Sequence, residues 1–108
     1  MLIKQSLEKG TIIAIKLITG DEIVGKLERL NATEIVVLKP IAIGLSPQGV
    51  AFAPFMVSAN DNISLTFRLE QVITYTQARE EIKNAYIQST SGITPAGPGS
   101  LPEGLIGA

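Results

Sequence analysis

The chain has few residues that could carry covalent or metal chemistry. Its 108 residues contain no histidine, no cysteine and no tryptophan. A serine nucleophile therefore has no imidazole to activate it, and a zinc site has neither imidazole nor thiolate ligands. The lack of cysteine also excludes disulfides. Triad hydrolases, thiol enzymes and soft-metal proteins are thus excluded classes, and no cofactor is expected.

Two pairs of adjacent carboxylates are the remaining candidates for acid–base chemistry. Asp21-Glu22 follows a turn signal, and Glu80-Glu81 falls on the polar side of an amphipathic segment. Neighbouring side chains point in different directions on a strand or a helix, so neither pair predicts an acid and a base acting on one bond. No catalytic residue is assigned, and the chain is not expected to be an enzyme.

The basic residues are the candidates for binding phosphate groups. There are nine of them, the net charge is −1 and the pI is about 5.3. A single copy offers no basic stripe for nucleic acid, but a ring of copies would gather one basic residue from each subunit. The nine are scattered through the sequence: Lys4, Lys9, Lys16, Lys26, Arg29, Lys39, Arg68, Arg79 and Lys83.

Alternating apolar residues predict that most of these side chains lie on short β-strands. Three consecutive runs cover residues 11–18, 22–30 and 34–44. The turn signals Thr19-Gly20-Asp21 and Asn31-Ala32-Thr33 separate them. Further strands are predicted at residues 50–58, 63–68 and 72–76.

Two residues predict irregularities in this sheet. Gly25 inside a strand indicates a sharp bend or a close backbone approach, and Pro40 indicates an edge or a bulge. The predicted core consists of apolar residues from these strands: Ile13, Ile15, Leu17, Ile23, Leu27, Leu30, Val37, Phe52, Leu65, Phe67, Val72 and Tyr75.

The two ends of the chain differ from its centre. Residues 2–9 predict a short helix that ends at Gly10. Apolar residues spaced for a helix predict a second, amphipathic helix over residues 77–88, which is either a lid on the strands or a partner-binding element. Residues 89–108 are rich in glycine, proline and serine and predict a flexible tail, with docking on a partner as the alternative. The domains are therefore 1–88 and 89–108.

No apolar run reaches the roughly 18 residues of a membrane span. The first ten residues lack an apolar segment of signal-peptide length. The sequence therefore predicts a cytoplasmic protein without membrane contact.

The central strands resemble the first signature of the Sm and Sm-like (LSm) proteins. The spacing is carried by an alternating strand, two glycines five residues apart, an apolar pair, a polar turn residue and an apolar strand. These positions are Ile13, Ile15, Leu17, Gly20, Gly25, Leu27, Leu30, Asn31, Val36, Val37 and Leu38.

The second signature of that family is a turn with an apolar residue, arginine, glycine and asparagine before the last strand. Phe67-Arg68-Leu69-Glu70 resembles it, with Leu69 in place of the glycine and Glu70 in place of the asparagine. Ser58-Ala59-Asn60-Asp61 is a second possible register.

The resemblance implies a mostly β fold, a small five-stranded Sm-like or SH3-like open barrel with a short N-terminal helix and a C-terminal amphipathic helix. It also implies a homo-oligomeric ring of about five to seven subunits, formed when the fourth strand of one subunit pairs with the last strand of the next.

In the family, uridine-rich RNA binds in the pore of the ring. The base-stacking position corresponds to Thr33, which cannot stack, and the asparagine position corresponds to Ile35, which cannot read a base edge. Arg68 corresponds to the arginine of the family's second signature, so this residue type is retained. The residues assigned to nucleic acid are therefore Arg68, Thr33, Asn31 and Lys26, for RNA or single-stranded nucleic acid bound without sequence specificity.

Two functions remain open at this point. One is a ring that binds RNA non-specifically after losing the uridine pocket. The other is a structural or assembly ring that acts through protein–protein contacts, with residues 77–108 as contact elements. The ring's first partner is another copy of the same chain in both cases.

Overall fold

The structure, a computed structural model, describes residues 7–60 and 62–90. This part of the chain forms six β-strands, one single-turn 3-10 helix and one α-helix. In chain order they are β1 (Ile12–Leu17), β2 (Glu22–Leu30), β3 (Glu34–Ser46), β4 (Gly49–Pro54), β5 (Ser64–Arg68), the 3-10 turn (Leu69–Gln71), β6 (Val72–Gln77) and α1 (Glu80–Thr90).

The turn between β1 and β2 forms where the sequence predicts it. Gly20 has a φ of 98°, a left-handed conformation that glycine adopts without steric cost. The Thr19 hydroxyl donates to the Asp21 carboxylate at 2.8 Å, and the Leu17 amide donates to the Asp21 carbonyl at 2.9 Å. These bonds fix the register of the first hairpin.

The six strands form one antiparallel open sheet in the order β4-β3-β2-β1-β6, with β5 also paired to β3. One edge of β3 is occupied by β2. The strands β4 and β5 therefore pair one after the other along its opposite edge. Within the described residues, β4 pairs only with β3 and β6 pairs only with β1. β5 likewise pairs only with β3, so within the described residues β4, β5 and β6 each keep one unpaired edge.

The long strand β3 contains a kink at Lys39, the one non-glycine residue of the described part with positive φ, 52°. The outer neighbour of β3 changes there from β5 to β4. On the other side, the register shifts between Val24 and Lys26, so that Lys39 and Pro40 together face Gly25. This two-against-one arrangement is a β-bulge, and it confirms the prediction from Pro40.

Gly25 lies where the backbone of β3 comes closest to β2. A Cβ atom at this position would collide with Cγ1 of Val37 and would lie 3.2 Å from both the Leu38 carbonyl oxygen and the Pro40 Cα. Glycine is therefore required at this position because a side chain does not fit, and not because of its φ angle. This confirms the predicted close approach of the backbone.

The main hydrophobic core lies on one face of the sheet. Fully burying an isoleucine or leucine side chain contributes roughly 1.5–3 kcal/mol, so this cluster carries much of the fold's stability. Its buried members are Ile13, Ile15, Leu17, Ile23, Leu27, Ile35, Val37 and Phe67.

A second cluster lies on the opposite face, where α1 packs. Ile12 and Val24 alternate with members of the main core and contact Ala78 and Tyr86. Ile82, on the same helix, packs against this group. Both faces of the β1–β2 hairpin are consequently buried.

Several predictions about the elements need correction. The resemblance implies five barrel strands, whereas the sheet has the six strands that the alternating runs predict, because the kink in β3 lets two short strands share its outer edge. The C-terminal helix begins at Glu80 rather than residue 77, since Gln77 still pairs with Ile13 in the sheet. It extends to Thr90, so Ser89 and Thr90 belong to the helix and not to the predicted tail.

The N-terminal helix predicted for residues 2–9 has no helical residue in its described part, 7–9. Its first residues lie outside the described part of the chain, as does the predicted tail from residue 91. The predicted core residues are all buried or half-buried; the half-buried ones are Leu30, Phe52, Leu65, Val72 and Tyr75.

Candidate nucleic-acid interface

The turn between β2 and β3 is organised by the side chain of Asn31. Its amide oxygen accepts hydrogen bonds from the backbone amides of Thr33 and Glu34, both at 3.0 Å, and from the Thr33 hydroxyl at 3.3 Å. Asparagine is favoured in turns because its side chain can bond to the backbone in this way. This oxygen is therefore engaged in holding the turn, and a ligand would meet only the remaining groups.

The link between β5 and β6 is held against the same turn. The Leu69 amide donates to the Thr33 carbonyl at 2.9 Å, and Arg68 lies opposite Glu34 in the β3–β5 register. The structure thus brings three of the residues assigned to nucleic acid, Asn31, Thr33 and Arg68, to one end of the sheet. All three are exposed.

The cations at this end are paired with carboxylates. The Nε atom of Arg68 lies 3.1 Å from Oε2 of Glu70, and Nη2 of Arg29 lies 2.9 Å from Oε2 of Glu34. Exposed ion pairs contribute little to stability, but each carboxylate offsets the field of its arginine toward a phosphate. One copy of this surface is close to neutral.

The fourth assigned residue, Lys26, does not join the other three. It lies opposite Ile12 and Leu38 in the sheet register. Leu38 is four residues along β3 from Glu34, the partner of Arg68, which corresponds to about 13 Å. Lys26 and Arg68 therefore lie opposite different points along β3, and a shared role of the two in binding nucleic acid stays a prediction.

Lys26 instead lines a pocket of about 480 Å³ between the sheet and α1, together with Lys39 and Lys83. The amino-acid sequence does not predict this group. The three lysines are far apart in the chain, so no spacing in the sequence links them. The one local signal in the sequence concerns Lys39. It precedes Pro40, and proline restricts the backbone conformation of the residue before it.

Tyr86 connects α1 to the sheet beside this pocket. Its hydroxyl donates to the carbonyls of Leu38, at 3.1 Å, and Lys39, at 2.8 Å. The side chain is buried, and this burial raises the pKa of Tyr86 to about 12. The neutral hydroxyl is therefore a stable hydrogen-bond donor throughout the physiological pH range.

A second, more apolar groove of about 510 Å³ lies where β4, the following loop and the end of α1 meet. Phe55 in this loop contacts Phe67 of the core with ring centroids 5.6 Å apart. Phe52, Pro54 and Met56 also line the groove.

No protein-family model and no curated protein matches this chain. Within residues 7–60 and 62–90, no group of three acidic side chains is placed to hold a metal ion. In the same part of the chain, no helix has the length and hydrophobicity needed to cross a membrane.

Proposed function

We propose that this chain is an Sm-like module that assembles with copies of itself into a ring and acts as a scaffold through protein contacts. The observation that carries the proposal is that β4 and β6 each keep an edge unpaired within the described residues and carry no charged side chain, unlike β5, which contains Arg68. Edges of this kind favour pairing with another chain.

The β6 edge has neither a charge nor a proline to block strand addition, although a register shift against β1 leaves Ile73 as the extra residue of a β-bulge. Its sequence, VITYTQ, contains no charge and no proline, and Ile73 is 62% exposed. Ile18, beside it, is 55% exposed, and its amide bonds to the Gln71 carbonyl next to β6. Within the described part of a single copy, apolar side chains are therefore exposed next to backbone donors and acceptors that no strand pairs.

The other end of the sheet, at β4, also exposes apolar side chains. Leu45 and Val50 lie opposite one another in the β3–β4 hairpin, and Leu45 is 87% exposed. Pairing β4 of one copy with β6 of the next would cover both edges. Such a contact is heterologous, and it produces a ring if the rotation between copies closes.

The connections between the strands also support the Sm-like proposal. A meander of four strands, β1 to β4, is followed by β5, a single 3-10 turn and β6, which returns to pair with β1. α1 presents Ile87 on its exposed side as a further contact element for protein partners.

Native mass spectrometry of the full-length protein, at low and physiological salt, tests the assembly. The expected result is one closed oligomer. Ile73→Lys places a charge on the free edge and should give monomers. Ile87→Lys, the same change at an exposed site on α1, should leave the oligomer intact. A monomeric wild type, or an Ile73→Lys oligomer of unchanged size, would contradict the proposal.

Non-specific RNA binding is the second candidate. It is favoured by the hydrogen bond from Leu69 to Thr33, which holds the loop of Arg68 against the loop of Asn31. A ring would repeat Arg68 in every subunit, although Glu70 would be repeated beside it.

The same mass-spectrometry experiment with a mixed-sequence RNA oligomer separates the two candidates. RNA that binds the ring, and is lost in Arg68→Ala, would support binding at this end of the sheet. A ring that takes up no RNA at either salt concentration would leave the scaffold function alone.

A further inference from the structure

Three lysines from three different elements converge on the pocket between the sheet and α1. Lys26 comes from β2, Lys39 from β3 and Lys83 from α1. Among the described residues that line this pocket there is no other lysine or arginine, and three of the five lysines in the described part of the chain meet here. The chain as a whole has a net charge of −1, which makes this concentration of positive charge unusual.

The charge of the pocket is not compensated by carboxylates. All three arginines of the chain pair with a glutamate. In contrast, none of the three pocket lysines has an ion pair within the described residues, and no aspartate or glutamate is among the described residues that line the pocket. Like charges that are held together without counter-charges repel one another, so an anion bound between them would be stabilised.

The position of Lys39 depends on a strained backbone. Its φ of 52° is unfavourable for a residue with a side chain, and such strain persists only where the surroundings hold it. Tyr86 does so by donating to the Lys39 carbonyl, and the Lys39 ammonium donates to the Thr90 carbonyl at 3.3 Å. The kink and the helix end therefore fix this ammonium at the rim of the pocket.

The other lining groups suit phosphate better than a nucleobase. Thr11, Gln77 and Thr90 supply polar side chains. Tyr86 is the one aromatic residue among those that line the pocket, but it is 3% exposed and offers no free ring face for stacking. Single-stranded nucleic acid relies on stacking of this kind, in addition to charge.

We propose that this pocket binds a small anion with two or more phosphate groups, of the pyrophosphate class and including nucleoside diphosphates. Three ammonium groups match an anion with several negative charges. A volume of about 480 Å³ lies within the range of small-molecule sites. None of the three lysines belongs to β4 or β6, so the proposal does not depend on ring formation.

Isothermal titration calorimetry of the full-length protein with pyrophosphate, ADP, orthophosphate and a mixed-sequence RNA oligomer tests this assignment. Pyrophosphate should bind, and orthophosphate should bind more weakly because it contacts fewer lysines. ADP binding with similar affinity would identify nucleotides as a source of the same diphosphate group. Binding of RNA without binding of pyrophosphate or ADP would overturn the proposal in favour of a nucleic-acid surface.

Matched variants locate the binding. Lys26→Gln and Lys83→Gln should each weaken pyrophosphate binding by about tenfold or more, since each removes a charge-assisted contact. Lys83→Arg, which keeps the charge, should bind nearly as well as the wild type. Lys16→Gln makes the same charge change on an exposed lysine outside the pocket and should alter affinity by less than about twofold. An equal loss in Lys16→Gln would overturn the proposal.

Discussion

The Tyr86 hydroxyl donates a hydrogen bond to the Lys39 carbonyl at 2.8 Å, across 47 residues of sequence. The bond joins α1 to the kink in the longest strand. It also holds α1 against β3 where the outer neighbour of β3 changes. It thereby determines the shape of the pocket lined by Lys26, Lys39 and Lys83, the lysine pocket. Stability and the candidate anion site therefore depend on the same contact.

Tyr86→Phe should destabilise the protein by about 1–3 kcal/mol, because the carbonyls of Leu38 and Lys39 lose their shared buried donor. Urea unfolding followed by circular dichroism measures this change. Tyr75→Phe is the matched control, since Tyr75 is half-buried and no hydrogen bond of its hydroxyl is present in the described structure. An equal loss in both variants would mean that the Tyr86 hydroxyl has no special role.

Tyr86 also predicts how stability depends on alkaline pH. Burial raises its pKa from 10.0 to about 12. Between these values the unfolded chain loses the phenol proton while the folded protein keeps it, so the free energy of unfolding should fall as the pH rises from about 10 to about 12. Below pH 10 this contribution is fully present.

Two measurements check this pH dependence. Other groups that ionise in alkali act equally in wild type and Tyr86→Phe, so the difference between their unfolding curves isolates Tyr86. In Tyr75→Phe, Tyr86 is the only tyrosine, and the ultraviolet absorbance of tyrosinate reports its pKa directly. A midpoint near 10 would show that the side chain is not buried as described.

The main core was predictable from the sequence because its residues alternate. Ile13, Ile15 and Ile23 follow the period of two that a half-buried strand requires. Ile12 and Val24 escaped prediction because strict alternation assigns them to solvent. They are buried since α1 covers the second face, and no local pattern in a strand states whether a distant helix will pack on it.

The candidate interface was predictable in part. The resemblance to Sm-like proteins placed Thr33 and Arg68 in loops that meet, and the structure brings these loops together. The lysine pocket was not predictable, because it results from a bulge at Lys39 and from the docking of α1. Both are tertiary features that link residues far apart in sequence.

Gly25→Ala should destabilise the protein by about 1–3 kcal/mol, because the new methyl group would overpack a filled core against Val37 and the backbone of β3. Gly44→Ala is the control, because a Cβ atom there would meet no other atom within 4 Å. Thermal and urea unfolding of both variants measure the difference. If Gly25→Ala were as stable as Gly44→Ala, β2 and β3 would be able to move apart and accept the methyl group. That result would contradict the tight packing at Gly25.

Glu70→Gln tests whether its carboxylate suppresses binding of nucleic acid by Arg68. Glu70 lies 3.1 Å from the guanidinium of Arg68, and both side chains are exposed. Loss of the negative charge should leave stability within about 1 kcal/mol of the wild type, since exposed ion pairs contribute little. It should nevertheless tighten binding of a mixed-sequence RNA oligomer at low salt, because Arg68 would then neutralise phosphate without competition.

Glu81→Gln is the matched control for this experiment, because Glu81 of α1 forms the same kind of exposed pair, at 3.3 Å, with Arg79, which precedes the helix. Fluorescence anisotropy of labelled RNA at several salt concentrations measures both variants. A gain in affinity restricted to Glu70→Gln, with a steeper dependence on salt, would locate the RNA at the Thr33–Arg68 end of the sheet. An equal gain in both variants would show that net charge alone governs binding, and no gain in either would argue against RNA as a ligand of this surface.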